Sequence, residues 1–388
     1  MKKLLKIALL TSLFLGTFGT LSAAPKKPLV LEPIEIDPII QSNNDIEVIA
    51  DPRLEIIGII CRLAGYDGFT NYYTGEATYT TQIDSYFAKY KDEKVVTTAK
   101  AFKDRGITAH SMISLAYHIK PDFSGTVIDF DPYPVTLMDN WKKIRTKEIY
   151  NFIKDVHDFL IKTNYSRLRI LNKPTLLASV GYFLRDFEDF AIPQFADDFF
   201  GKNVFDKKVI SVNMICPLLM AYDIVTDRDG KTTSYTTVYS NCYISSMTTT
   251  YFTNYIQEYA DANWETVKEK FTNIILYYTK KMYPDKYKEY EKQLKESINS
   301  SLFAQYFGDF VYLEYLRSPI YENAKKKEGA LTYEYYYGEL EKAYSSEWFY
   351  QLNELTAEYV NNRDKYSSLK VFFPKIVDVI NSINIDEE

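Results

Sequence analysis

The spacing of apolar side chains divides the chain into a long helical stretch, a short extended interval and a second helical stretch. Between Asp51 and Gly65 the segment DPRLEIIGIICRLAG puts apolar residues on most faces of a helix. Asp51 suits the cap, Pro52 the first helical position and Gly65 the stop, so this helix is expected to be buried. Helical spacing recurs over about 79–90, 93–104 and 108–119. It is clearest over 146–163, where Ile149, Phe152, Ile153, Val156, Phe159 and Leu160 share one stripe. Two more helices are expected from Pro174 to Phe190 and from Pro193 to Phe200.

The period then changes. Lys207 to Asn213 alternates, Leu218 to Thr226 is apolar and extended, and Thr232 to Tyr243 is rich in Thr, Tyr and Val. Between the last two, Asp227 can open a type I turn and Gly230 can take the positive φ that closes it. The expected product is a small antiparallel sheet whose last strand runs into ISSMTTTYFTNYI, residues 244–256. There Met247, Tyr251, Phe252, Tyr255, Ile256 and Tyr259 mark a helical stripe, and each β-branched threonine costs a helix only a few tenths of a kcal/mol. A central helix is expected, continuation of the strand over Thr248–Thr250 being the alternative. After Asn263 helical spacing continues to about Ile383. The fold class is therefore α+β, predominantly helical, with a small antiparallel sheet preceding a central helix.

The first 24 residues change the picture of where the protein works. Lys2, Lys3 and Lys6 precede an apolar run that ends in small residues, the layout of a secretory signal peptide cleaved after Ala23 or Ala24. Residues 25–47, with Pro25, Pro28, Pro33 and Pro38, suggest an extended lead-in, and folded structure is expected to begin at Asp51. The mature chain is expected to be exported, periplasmic or extracellular, with no transmembrane segment. Loss of the three lysines moves the formal charge from −6 to −9, which argues against a nucleic-acid partner. The 35 tyrosines and 14 glycines favour aromatic packing between helices.

Candidate chemistry is sparse. The three histidines are His110, His118 and His157, and none lies four residues from another, so no helix can offer a His-x-x-x-His pair to a metal. His157 falls just beyond its helix's apolar stripe, a boundary or surface position. Cys61 sits on the buried first helix as a packing residue. The hairpin register set by Arg228, Asp229 and Gly230 carries Cys216 opposite Cys242, where a disulfide and two thiols are both open. Neither a Gly-x-Ser-x-Gly elbow nor a phosphate-cradling glycine loop occurs, and no acid and base pair stands out among the carboxylates.

DPRLEIIGIICRLAGY, then IDSYFAKYKDEKVV, then GITAHSMISLAYHI resemble the opening of bacterial exported proteins grouped as domain of unknown function 4932. The likeness extends more weakly from about Ile46 to Leu316. It implies a zincin-like framework, a zinc-peptidase-like domain over 48–316 and a helical extension over 317–388. Members carry a His-Glu-Phe-x-His stretch where this chain has residues 246–250. Alignment through Phe252 and Asn254 puts Ser246 and Thr250 at the histidines and Met247 at the glutamate, with Glu296 as the retained third ligand. A catalytic zinc of this kind needs two imidazoles one helical turn apart and a carboxylate base. No histidine follows position 157, and hydroxyls and a thioether do not replace those groups. The resemblance therefore implies a degenerate site, no catalytic or metal-binding residues, no cofactor, and a role in binding a peptide or protein ligand. Two alternatives stay open: a hydrolase using other groups around Thr250, and a structural or adhesive protein using tyrosine-rich helices such as TYEYYYGELEKAY.

Overall fold

Asp51 starts the first long helix as its sequence suggests. Its carboxylate accepts the Arg53 N–H at 2.9 Å, Pro52 fills the first turn, and Gly65 closes the helix with φ 74°. The computed structural model describes residues 29–384 except 44, 68, 70–76, 132, 135, 203, 216–220, 240–243, 327–329 and 345–346. The expected signal peptide, Cys216 and Cys242 lie outside the described residues.

Ordered pairing begins ahead of Asp51. Strands β1 (Ile39–Ser42) and β2 (Glu47–Ala50) form a hairpin, with Ile39 and Val48 buried. The apolar pairs of the expected lead-in are thus what join it to the core. Next come α1 (Pro52–Ala64), α2 (Ala77–Phe87), α3 (Lys94–Asp104), α4 (Ala109–His118), α5 (Thr146–Thr163), α6 (Tyr165–Asp189) and α7 (Ile192–Phe200). Pro174 lies inside α6 rather than at a helix start. Its ring removes the hydrogen bond to the carbonyl four residues back and crowds that carbonyl, while Asn164, at φ 51°, turns the chain directly from α5 into α6.

The remaining strands are β3 (Lys207–Asn213), β4 (Ala221–Thr226) and β5 (Thr232–Tyr239), and the sheet order is β1-β2-β3-β5-β4. The sheet is mixed rather than antiparallel: β2–β3 and β3–β5 are parallel, β1–β2 and β4–β5 antiparallel. Only the hairpins are local, so only they are written in nearby turn residues. In the second hairpin the Gly230 N–H donates to Asp227 O at 3.1 Å with Gly230 at φ 80°, and Thr226 faces Thr232.

The chain then forms α8 (Ile244–Met282), α9 (Pro284–Ser297), α10 (Ser300–Arg317), α11 (Pro319–Ala324), α12 (Tyr333–Tyr344), α13 (Glu347–Asn361) and α14 (Leu369–Ser382). Thr248–Thr250 are helical, and the helical stripe wins over strand continuation because Met247, Tyr251, Phe252, Tyr255 and Ile256 all bury. Helices cover both sheet faces. On one, Tyr117 of α4 bonds Thr237 and stacks on Tyr235; on the other, Asn254 of α8 donates to Thr236 Oγ1 at 2.8 Å and Asp197 of α7 pairs with Lys208. No helix among the described residues is long and apolar enough to cross a membrane.

Candidate functional site

The first half of α8 is where sequence places the site. Each threonine hydroxyl turns back to its own helix: Thr248 Oγ1 donates to Ile244 O at 2.7 Å, Thr249 to Ser245 O at 2.9 Å and Thr250 to Ser246 O at 2.8 Å. Met247 is buried in the core, while Ser246 and Thr250 are half-buried. Glu296 belongs to α9, whereas α10 is the helix that packs along α8.

The contact between α8 and α10 is close because of Gly308. A methyl group there would stand 2.8 Å from Thr253 Oγ1 and 3.4 Å from Thr249 O. The neighbouring residue, Asp309, accepts the Tyr336 hydroxyl of α12 at 2.9 Å. Burial, reinforced by the Asp309 charge, raises the Tyr336 hydroxyl far above its ordinary value, against the pull of the Thr249 hydroxyl. A phenol of α12, bonded to an acid of α10, therefore meets the threonine run at Thr249, a convergence that sequence spacing does not reveal.

A second polar group lies between the sheet and α4. Arg53 pairs with Asp51 at 2.6 Å, donates to Ile119 O at 3.0 Å, and lies 5.4 Å from the Tyr235 ring centroid. Two residues on, Glu55 accepts the hydroxyls of Tyr79 and Tyr165 and the guanidinium of Arg169. The Asp-Pro-Arg-x-Glu opening is thus a buried clamp that ties α1 to α4, α6 and the sheet. A small cavity of about 10 Å³ beside it is lined by Ala50, Asp51, Glu55, Leu176, Val212, Asn213 and Met214. That is room for about one water molecule and no ligand, and both its carboxylates are engaged by arginines.

Asp223 of β4 is the unexpected residue here. Register places it opposite Tyr235. The side chain is half-buried, its Oδ1 accepts the Ile224 N–H at 2.8 Å, and its Oδ2 is sealed from solvent. Burial pushes the carboxyl up to about 7, against the Ser114 hydroxyl and the Ile224 N–H. The available signal was one acid in the otherwise apolar and β-branched AYDIVT.

Two of the three histidines hold structure. His118 is buried, its Nδ1 2.8 Å from Ser114 O and its Nε2 3.0 Å from Thr136 Oγ1, and burial lowers it to about 4. His110, at the other end of α4, is exposed. His157 is not a surface residue: it is 6% exposed and its Nε2 reaches Glu32 O at 2.8 Å, because the lead-in crosses α5 there. Among the described residues no three His, Cys, Asp or Glu side chains group closely enough to hold a metal. In the tyrosine-rich α12, Tyr336 packs edge-on to Tyr312, Tyr337 against Phe349, and Tyr333 beneath Arg317, leaving Tyr335 exposed.

Compared with protein-family models, with curated proteins and with solved structures, the chain has no match.

Proposed function

We propose that this is an exported protein that holds an extended peptide or protein segment without cutting it. Its framework resembles that of zinc peptidases of the exported family named above, with Ser246, Met247 and Thr250 where ligands and base would stand. The observation that carries this reading is the position of β4. It is an edge strand, no described strand pairs with its outer side, and it lies against α8. An edge of this kind can accept an extended chain through main-chain hydrogen bonds. At the adjoining helix, hydroxyls bonded to their own backbone supply neither a metal ligand set nor a base for water.

The test is metal analysis of the purified protein, a broad peptidase assay and a peptide-display screen. Extended peptides recovered without cleavage are expected. Stoichiometric zinc together with cleavage abolished by a chelator would overturn the reading. The meeting of Asp309 and Tyr336 beside Thr249 favours, as a second reading, a hydrolase using groups other than zinc ligands. Cleavage that survives chelator and disappears in Asp309→Asn is its signature.

A further inference from the structure

An unpaired strand edge invites non-specific pairing, and proteins blunt such edges with inward-pointing charge. In β4 the donors of that edge follow from the hairpin. The Asp227 N–H points to β5, donating to Lys231 O at 2.9 Å. Alternation along the strand then turns the amides of Thr226, Ile224 and Tyr222 outward. The middle one, Ile224, is already taken by the Asp223 carboxylate at 2.8 Å, while no described group accepts from Tyr222 or Thr226.

We infer that Asp223 is a latch on the β4 edge: its carboxylate occupies the central outward amide and keeps an incoming strand from pairing until the proton or the strand displaces it. This rests on the peptide-binding reading for its occupant, an extended segment of another polypeptide, but not for the latch itself.

The surroundings let one proton operate the latch. Arg53 of α1 reaches the hydroxyl of Tyr235, the residue opposite Asp223, and is committed to Asp51 and to the carbonyls of Tyr117 and Ile119. α4 brings Ser114, Tyr117 and His118, the last kept neutral by burial; β5 brings Tyr235; α8, on the opposite face, presents the uncharged Asn254. With burial the first influence on its carboxyl and no countercharge acting on it, Asp223 takes up a proton near neutral pH. Protonation replaces a charge-assisted bond to Ile224 N–H by a weaker neutral one. The latch is therefore held above neutrality and loosened below it.

Amide-resolved hydrogen exchange on the full chain reads the latch without any ligand. Corrected for intrinsic rates, Ile224 is expected to be about tenfold more protected than Tyr222 and Thr226 at about pH 8, and to approach them at about pH 6. Asp223→Ala should lose that protection at both pH values. Asp223→Asn, which keeps an acceptor oxygen and its shape, should show a smaller protection that does not change with pH. Equal exchange at the three amides in the wild type at about pH 8, or protection of Ile224 indifferent to both pH and Asp223→Ala, would overturn the latch. A second arm uses a fluorescently labelled Lys-Thr-Val-Thr-Val-Thr-Lys peptide, expected to bind Asp223→Ala more tightly than wild type at about pH 8. Exchange as expected with no peptide bound by either protein would sink the peptide reading and leave the latch standing.

Discussion

A carboxylate that shares its surroundings with a sheet face, rather than with water, records its environment in the pH dependence of stability. Asp223 holds its proton to about 7 in the folded chain and releases it near 3.8 when unfolded. Between those values the folded state binds more protons, so the stability contributed by this group falls as pH rises through the window and levels off above it. Asp223→Asn removes the titration. Urea unfolding should therefore show the variant gaining on wild type from about pH 5 to about pH 8, by roughly 2–4 kcal/mol; parallel stability curves would refute the raised carboxyl. Residues of this kind are hard to read from sequence. Asp51 was legible because its cap partner lies two positions away, but Arg53 and Glu55 sit on a helix that otherwise reads as apolar, and their partners Ile119, Tyr165 and Arg169 come from distant segments. A charge on a buried helix tells of such partners without naming them.

At the scale of elements, what could be read were features closed within a few residues. The α1 caps, the amphipathic stripe of α5 and the Asp227–Gly230 turn are all local. The parallel registers joining β2, β3 and β5 link segments separated by whole helices, and no local pattern specifies them. The threonine run shows the same division. Its helical state is legible from the stripe, yet the reason α10 approaches so closely is a glycine some sixty positions later. With a methyl group at 308 meeting Thr253 Oγ1 and the Thr249 carbonyl, Gly308→Ala should force α8 and α10 apart. The gain in helix propensity from glycine to alanine, about 1 kcal/mol, opposes an overpacking cost of about 1–3 kcal/mol. A net loss is expected, read as a lower urea midpoint with unchanged slope. An equal or higher midpoint would mean that the Thr253 hydroxyl simply rotates away.

Across the whole molecule the question is whether the last seventy residues are an appendage or a wall of the core. From sequence, the residues after Leu316 are expected to form a helical extension. The side chains after that point do not stay apart. Phe373 of α14 packs with Tyr259, Phe303 and Phe307, Trp348 of α13 lies against Tyr306 and Phe310, and the Tyr359 hydroxyl donates to Phe199 O at 2.9 Å. Leu352, Phe372 and Ile376 are likewise buried. Each such side chain is worth about 1.5–3 kcal/mol when removed from water. Half a dozen of them, with the faces of α8 and α10 they cover, exceed the roughly 5–15 kcal/mol by which a domain is stable at all. A protein ending at residue 316 is thus expected to aggregate or to remain expanded. It should bind a hydrophobic dye and lack a cooperative urea transition. A monodisperse truncated protein that unfolds cooperatively would instead make the C-terminal helices a separable unit.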